Sequence, residues 1–126
     1  MEGYEAKVKE SSMNLSKKDM VKLSLTDDFI PLDDELKDTE SKLEIEVVGY
    51  TVLQIHNEKA DDKDYEKYLI HDKNGNIYST GSAPFFTTFF NIFNEMSDSN
   101  EEWKLLVFKR ESKNYKGKNF ITCTIS

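Results

Sequence analysis

The side chains with the most evident chemistry lie near the end of the chain. Between Trp103 and Ile125 the sequence sets Lys109, Arg110, Lys113, Lys116 and Lys118 among Phe108, Tyr115 and Phe120. Cations neutralise phosphate, and flat rings offer faces on which bases stack. Together they are what an unpaired polynucleotide requires of its binder. Strand alternation sharpens the reading. With Trp103, Leu105 and Val107 turned inward, Lys104, Phe108 and Arg110 face outward. With Ile121 and Cys123 inward, Phe120 and Thr122 face outward. An outward patch of rings and cations calls for a partner. The plainer reading is a solvated hairpin whose lysines supply solubility. Tyr50, Tyr65, Tyr68 and Tyr78 would extend the platform if they share the exposed side, and would be core if they do not.

Other chemistries find less support. Asp72-Lys73-Asn74-Gly75-Asn76-Ile77 resembles the middle of a calcium-binding EF-hand loop, but the first and twelfth positions would be Ile70 and Gly81, which lack the required carboxylates. Lys73-Asn74-Gly75 reads instead as a hairpin turn. His56 and His71, the only histidines, have no second ligand at zinc spacing. No nucleophile elbow and no glycine-rich phosphate cradle is present. The acid pairs Asp27-Asp28, Asp33-Asp34 and Asp61-Asp62 fall in loops, where a two-metal nuclease could not hold them rigidly. The sequence thus predicts no catalytic residue, no metal site and no cofactor.

The elements that must position the hairpin begin at Leu43. Leu43, Ile45 and Val47 alternate with Glu44 and Glu46, and Tyr50 to His56 continues the strand beyond Gly49, whose place inside a long strand suggests a bend. Tyr65–Asp72 and Ile77–Thr80 read as the second and third strands. Ser82 is a helix N-cap with Pro84 in the first turn. Phe85, Phe86, Phe89, Phe90, Phe93 and Met96 then form one apolar stripe at helical spacing. Trp103–Phe108 and Phe120–Ile125 are the fourth and fifth strands. Residues 1–42 are polar and acidic, either a loosely ordered arm or one leading strand, with Met20–Leu25 the stretch that alternates weakly. Asp27–Glu40 reads as an acidic loop.

Three strands, a helix and two strands give the order of an OB-fold: an all-β, five-stranded Greek-key barrel capped by the helix between strands three and four. The expected domains are the arm over 1–42 and the barrel over 43–126. A chain of 126 residues supports one domain of this kind. No apolar run approaches the ~20 residues of a membrane span. A lone Cys123 and the lack of a signal-peptide core point to the cytoplasm.

The net charge of −7 is unevenly spread. Residues 1–42 hold 7 cationic and 11 acidic side chains, residues 43–100 hold 4 and 10, and residues 101–126 hold 6 and 3. Only the terminal segment is positive. Charges beyond a Debye length, about 8 Å in physiological salt, are largely screened, so a basic hairpin can hold phosphate on an acidic protein.

Residues 43–126 resemble the small single-stranded DNA-binding proteins of tailed phages with protein-primed replication. The resemblance lies in the long first strand, the Asn-Gly turn before Ile77-Tyr78-Ser79, the capping helix, Trp103-Lys104-Leu105, and Ser112-Lys113 followed by Lys116-Gly117-Lys118-Asn119-Phe120. It implies an OB-fold that coats displaced single strands during phage DNA replication in the host cytoplasm, with replication proteins as further partners. It also implies strand contacts at Tyr78, Lys116, Lys118 and Phe120. The full expected interface is Tyr50, Tyr68, Tyr78, Phe108, Arg110, Lys113, Tyr115, Lys116, Lys118 and Phe120. The alternative is a protein-interaction module whose acidic surface mimics nucleic acid.

Overall fold

A computed structural model describes residues 3–26, 28–36, 40–111 and 119–125. The described residues are mostly strand, with few helices. They form two compact units, one of residues 1–30 with 48–81, the other of 31–47 with 82–126. Both cut across the expected division at residue 42. No described helix is long and apolar enough to cross a membrane.

The first unit is built on β1 (Tyr4–Ser11), α1 (Lys17–Leu25), β4 (Val47–Asn57), β5 (Asp64–Asp72) and β6 (Ile77–Thr80). The unit boundaries fall just inside β4 and within the two-residue β2 (Ile30–Pro31). The strands are ordered β1-β4-β5-β6-β2 in one sheet. Residues 1–42 therefore supply a full leading strand, paired antiparallel with β4 from Tyr4 opposite Asn57 to Ser11 opposite Thr51. Its register shifts between Val8 and Glu10, as at a β-bulge. The Lys9 ammonium reaches Glu66 of β5 at 2.6 Å. One face of the sheet buries Leu53, Ile55 and Leu69 with Leu23 of α1, and Ala6, Val8, Leu15, Phe29 and Ile77 pack around them.

Met20–Leu25 is helix, not strand. Ser16 caps it: its hydroxyl accepts from the Asp19 amide at 3.1 Å, while the Asp19 carboxylate accepts from the Ser16 amide at 3.3 Å. This reciprocal pair satisfies two otherwise orphaned donors. It outweighs the period-two spacing of Val21, Leu23 and Leu25.

The long strand expected over 43–56 divides. Lys42–Ile45 forms β3 in a second sheet, and the chain leaves strand geometry at Glu46, not at Gly49. Gly49 has a different duty. A Cβ there would lie 2.6 Å from Met13 Cγ and 2.9 Å from Ser12 Oγ, because the turn after β1 is drawn onto β4. The Tyr50 amide donates to Ser12 Oγ at 2.8 Å, and the Ser12 amide donates to the Tyr50 carbonyl at 3.0 Å. Gly49→Ala is accordingly expected to lower the unfolding free energy by about 1–3 kcal/mol, the usual penalty of overpacking. Adding Met13→Ala should recover part of it. Urea midpoints of the two variants check this; a wild-type midpoint for Gly49→Ala would show that the turn gives way freely.

The second unit contains α2 (Leu32–Glu35), β3, α3 (Ala83–Ser97), β7 (Leu105–Glu111) and β8 (Asn119–Ile125). Its sheet is ordered β3-β7-β8 and antiparallel throughout. Ser82 caps α3, its hydroxyl accepting from the Phe85 amide at 3.3 Å, with Pro84 in the first turn. The helix packs on β8. Phe85 and Phe89 are sealed, with Leu32, Leu36, Ile45, Leu105 and Val107 equally buried in this unit. Phe86, Phe90, Phe93 and Met96 are only half-buried, so the apolar stripe is wider than the surface it covers. Cys123 is buried and its thiol is pushed up to about 12 by desolvation, which makes it an inert core residue.

Candidate nucleic-acid interface

The alternation of β7 and β8 decides which side chains are available. Leu105, Val107, Ile121 and Cys123 are buried, while Arg110 and Phe120 are exposed and Phe108 and Thr122 half-buried. The register sets Arg110 opposite Phe120 and Phe108 opposite Thr122. Same-face neighbours along a strand lie about 6.7 Å apart, and cross-strand partners about 5 Å apart. Phe108, Arg110 and Phe120 are therefore mutual neighbours on one outward face. The Arg110 guanidinium lies over the Phe108 ring, 5.5 Å from its centroid, within range of a cation–π attraction. Phe120, 45% exposed, lies beside this pair.

The third strand adds a cation that the sequence reading left in the arm. Lys42 of β3 pairs with Phe108 and is exposed. Its membership was readable from the alternation of Lys42, Glu44 and Glu46 around Leu43 and Ile45. Glu44 lies next along β3, opposite Leu106. Lys104 faces the carboxylates of Glu44 at 3.9 Å and Glu46 at 3.7 Å. The outward face thus runs from an acidic end that Lys104 partly offsets to an end where Lys42, Phe108, Arg110 and Phe120 converge.

Other expected contact residues are placed differently. Tyr50 and Tyr68 are buried, because consecutive residues of β4 and β5 are buried around them and both strand faces are covered there. Tyr50 donates to Glu10 at 3.4 Å. Burial raises the phenol pKa of both tyrosines. Neither presents a stacking surface. Tyr78 is half-buried opposite Ile70. Lys113, Tyr115, Lys116 and Lys118 lie outside the described residues.

Two polar clusters elsewhere have structural employment. The EF-hand-like segment is a hairpin turn: Asp72 Oδ1 accepts from the amides of Asn74 at 2.9 Å and Asn76 at 2.7 Å, and Gly75 takes φ +89°. In the first unit Ser11 Oγ meets Thr51 Oγ1 at 3.0 Å, and Thr51 Oγ1 meets His71 Nε2 at 2.8 Å. A hydroxyl beside an imidazole suggests nucleophile chemistry. Thr51, however, is fully buried, so the chain of bonds ties β1, β4 and β5 together where no substrate reaches.

His56 clamps the loop after β4. Its Nδ1 meets Asp64 at 2.7 Å and its Nε2 meets Glu58 at 2.6 Å. Those two hydrogen bonds, Asp64 first, raise its pKa above the ordinary 6.5, whereas burial lowers that of His71. The signs oppose. The His56 contribution is fully present below about pH 6.5 and fades as pH rises through its raised value. The His71 contribution is present above that pH and fades as pH falls. Imidazole NMR titration should therefore give two separated midpoints on either side of 6.5, with His56→Gln removing the upper one. Coincident midpoints would contradict both environments.

Compared with known proteins, the chain matches no family model, no curated protein and no solved structure.

Proposed function

We propose that the chain binds single-stranded DNA with little sequence preference and without catalysis, coating displaced strands during replication in the cytoplasm of a phage-infected cell. The observation that carries this reading is the outward cluster of Phe108, Arg110 and Phe120 with Lys42 beside it. Rings accept any base by stacking, and the cations neutralise the backbone. The order of the elements, with the meander β4-β5-β6 followed by the helix α3 and the hairpin β7-β8, and the pairing of β3 with β7 support an OB-fold reading. In a fluorescence titration with oligo-dT, the logarithm of affinity should fall with the logarithm of salt concentration at about −0.7 per phosphate contacted. A flat dependence would overturn the proposal.

The net −10 of residues 1–100, which hold 11 cationic and 21 acidic side chains, favours a second reading in which the acidic surface occupies a basic groove on a protein partner. A pull-down repeated after nuclease treatment separates the two, since only a protein partner survives it.

A further inference from the structure

The four outer strands of the two sheets are not protected alike. An outer strand offers unpaired amides and carbonyls to any other chain, and proteins guard such edges with charges, prolines, bulges or brevity. β1 carries Glu5, Lys7, Lys9 and Glu10 and a bulge-like register shift. β2 has two residues, the second Pro31. β3 has four, including Lys42 and Glu44. β8 has none of these devices. Asn119-Phe120-Ile121-Thr122-Cys123-Thr124-Ile125 holds no charge, proline or glycine across seven residues, and among the described residues it is the outer strand of its sheet. Phe120 and Ile125 are 45% and 42% exposed.

We propose that a second copy of the chain adds along this edge, the two β8 strands running antiparallel about a two-fold axis at Cys123. The strand is self-complementary in that arrangement. Ile125, exposed although Ile121 and Cys123 on the same side of the sheet are buried, gains Ile121 of the second copy as its cross-strand neighbour. Thr122 pairs with Thr124 of the second copy, and such threonine pairs stabilise antiparallel sheets. Because the strand carries no charge, no like charges oppose each other across the axis. With the axis at Cys123 only residues 121–125 of each β8 face one another, a contact at the small end of protein interfaces, so the association is weak and depends on concentration. It requires no nucleic acid, and its failure would leave the DNA-binding reading untouched.

Sedimentation velocity of the full chain, without nucleic acid, tests it. The weight-average mass should rise toward twice the monomer as concentration increases, and alternate β8 amides should slow in hydrogen exchange over the same range. Thr122→Lys with Thr124→Lys sets lysines against lysines at two cross-strand positions. It should stay monomeric at every concentration with an unchanged melting temperature. If that variant misfolds, the exchange result on the natural chain decides alone. A natural chain monomeric throughout would overturn the proposal and leave the edge to a foreign strand. Edge amides already protected at the lowest concentration would overturn it too, since one chain would then cover its own edge. So would a dimer that survives the two lysines.

Discussion

Phe89→Ala is expected to cost about 3–5 kcal/mol of unfolding free energy, the usual loss for emptying a sealed aromatic site. Phe89 is fully buried in the middle of α3. Its ring centroid lies 5.7 Å from that of Phe86 and 5.8 Å from that of Phe93, so removing it takes away the link between both neighbours. The loss is a large share of a typical total of 5–15 kcal/mol. Phe90→Ala is the control. Phe90 is half-buried and its removal opens onto solvent instead of leaving a void, so it should cost markedly less. Trp103, the only tryptophan, meets Phe93 edge-on at 6.5 Å and reports unfolding of the same unit by fluorescence. Equal losses for the two variants would mean that α3 does not insert Phe89 as described.

That helix was also the part of the fold most open to reading from sequence. A serine cap, a proline in the first turn and six apolar side chains at helical spacing all agree, and nothing local competes with them. The turn at 73–75 and the inward-outward alternation of β7 and β8 were legible for the same reason. Where local signals conflict, the sequence misleads. Val21, Leu23 and Leu25 have strand spacing, and only the capping pair of Ser16 and Asp19 reveals α1. Tyr4, Ala6 and Val8 alternate with Glu5, Lys7 and Lys9 as a strand should, but in a segment so charged that its overall polarity hides the pattern. The tyrosines fail for another reason. Whether Tyr50 and Tyr68 face solvent depends on what covers the second side of β4 and β5, and that is set by tertiary packing. Lys42 reached the candidate interface through register alone: pairing β3 with β7 brings it beside Phe108 from sixty-six positions away in the chain.

The proposed interface makes its largest claim on Arg110 and Phe120. Each is exposed, and each is the other's cross-strand neighbour. Phe120→Ala removes one stacking plane, worth about 1–3 kcal/mol, which is roughly 5- to 150-fold in affinity for oligo-dT. Arg110→Glu replaces a cation held over the Phe108 ring with an anion facing the same phosphates, so it loses attraction and adds repulsion. The two changes together should weaken binding by about 100-fold or more. The double variant should keep its melting temperature, because exposed substitutions away from caps and cores usually change stability by no more than about 0.5 kcal/mol. Adjacent residues of one patch need not contribute additively, so the single variants are measured beside the double one. Tyr50→Phe and Tyr68→Phe are the internal controls. Both side chains are buried, and losing their hydroxyls should alter stability but not oligo-dT affinity. Should the tyrosine variants weaken binding while Arg110→Glu with Phe120→Ala does not, the strand would lie on the five-stranded sheet, and the outward face of β7 and β8 would serve some other purpose.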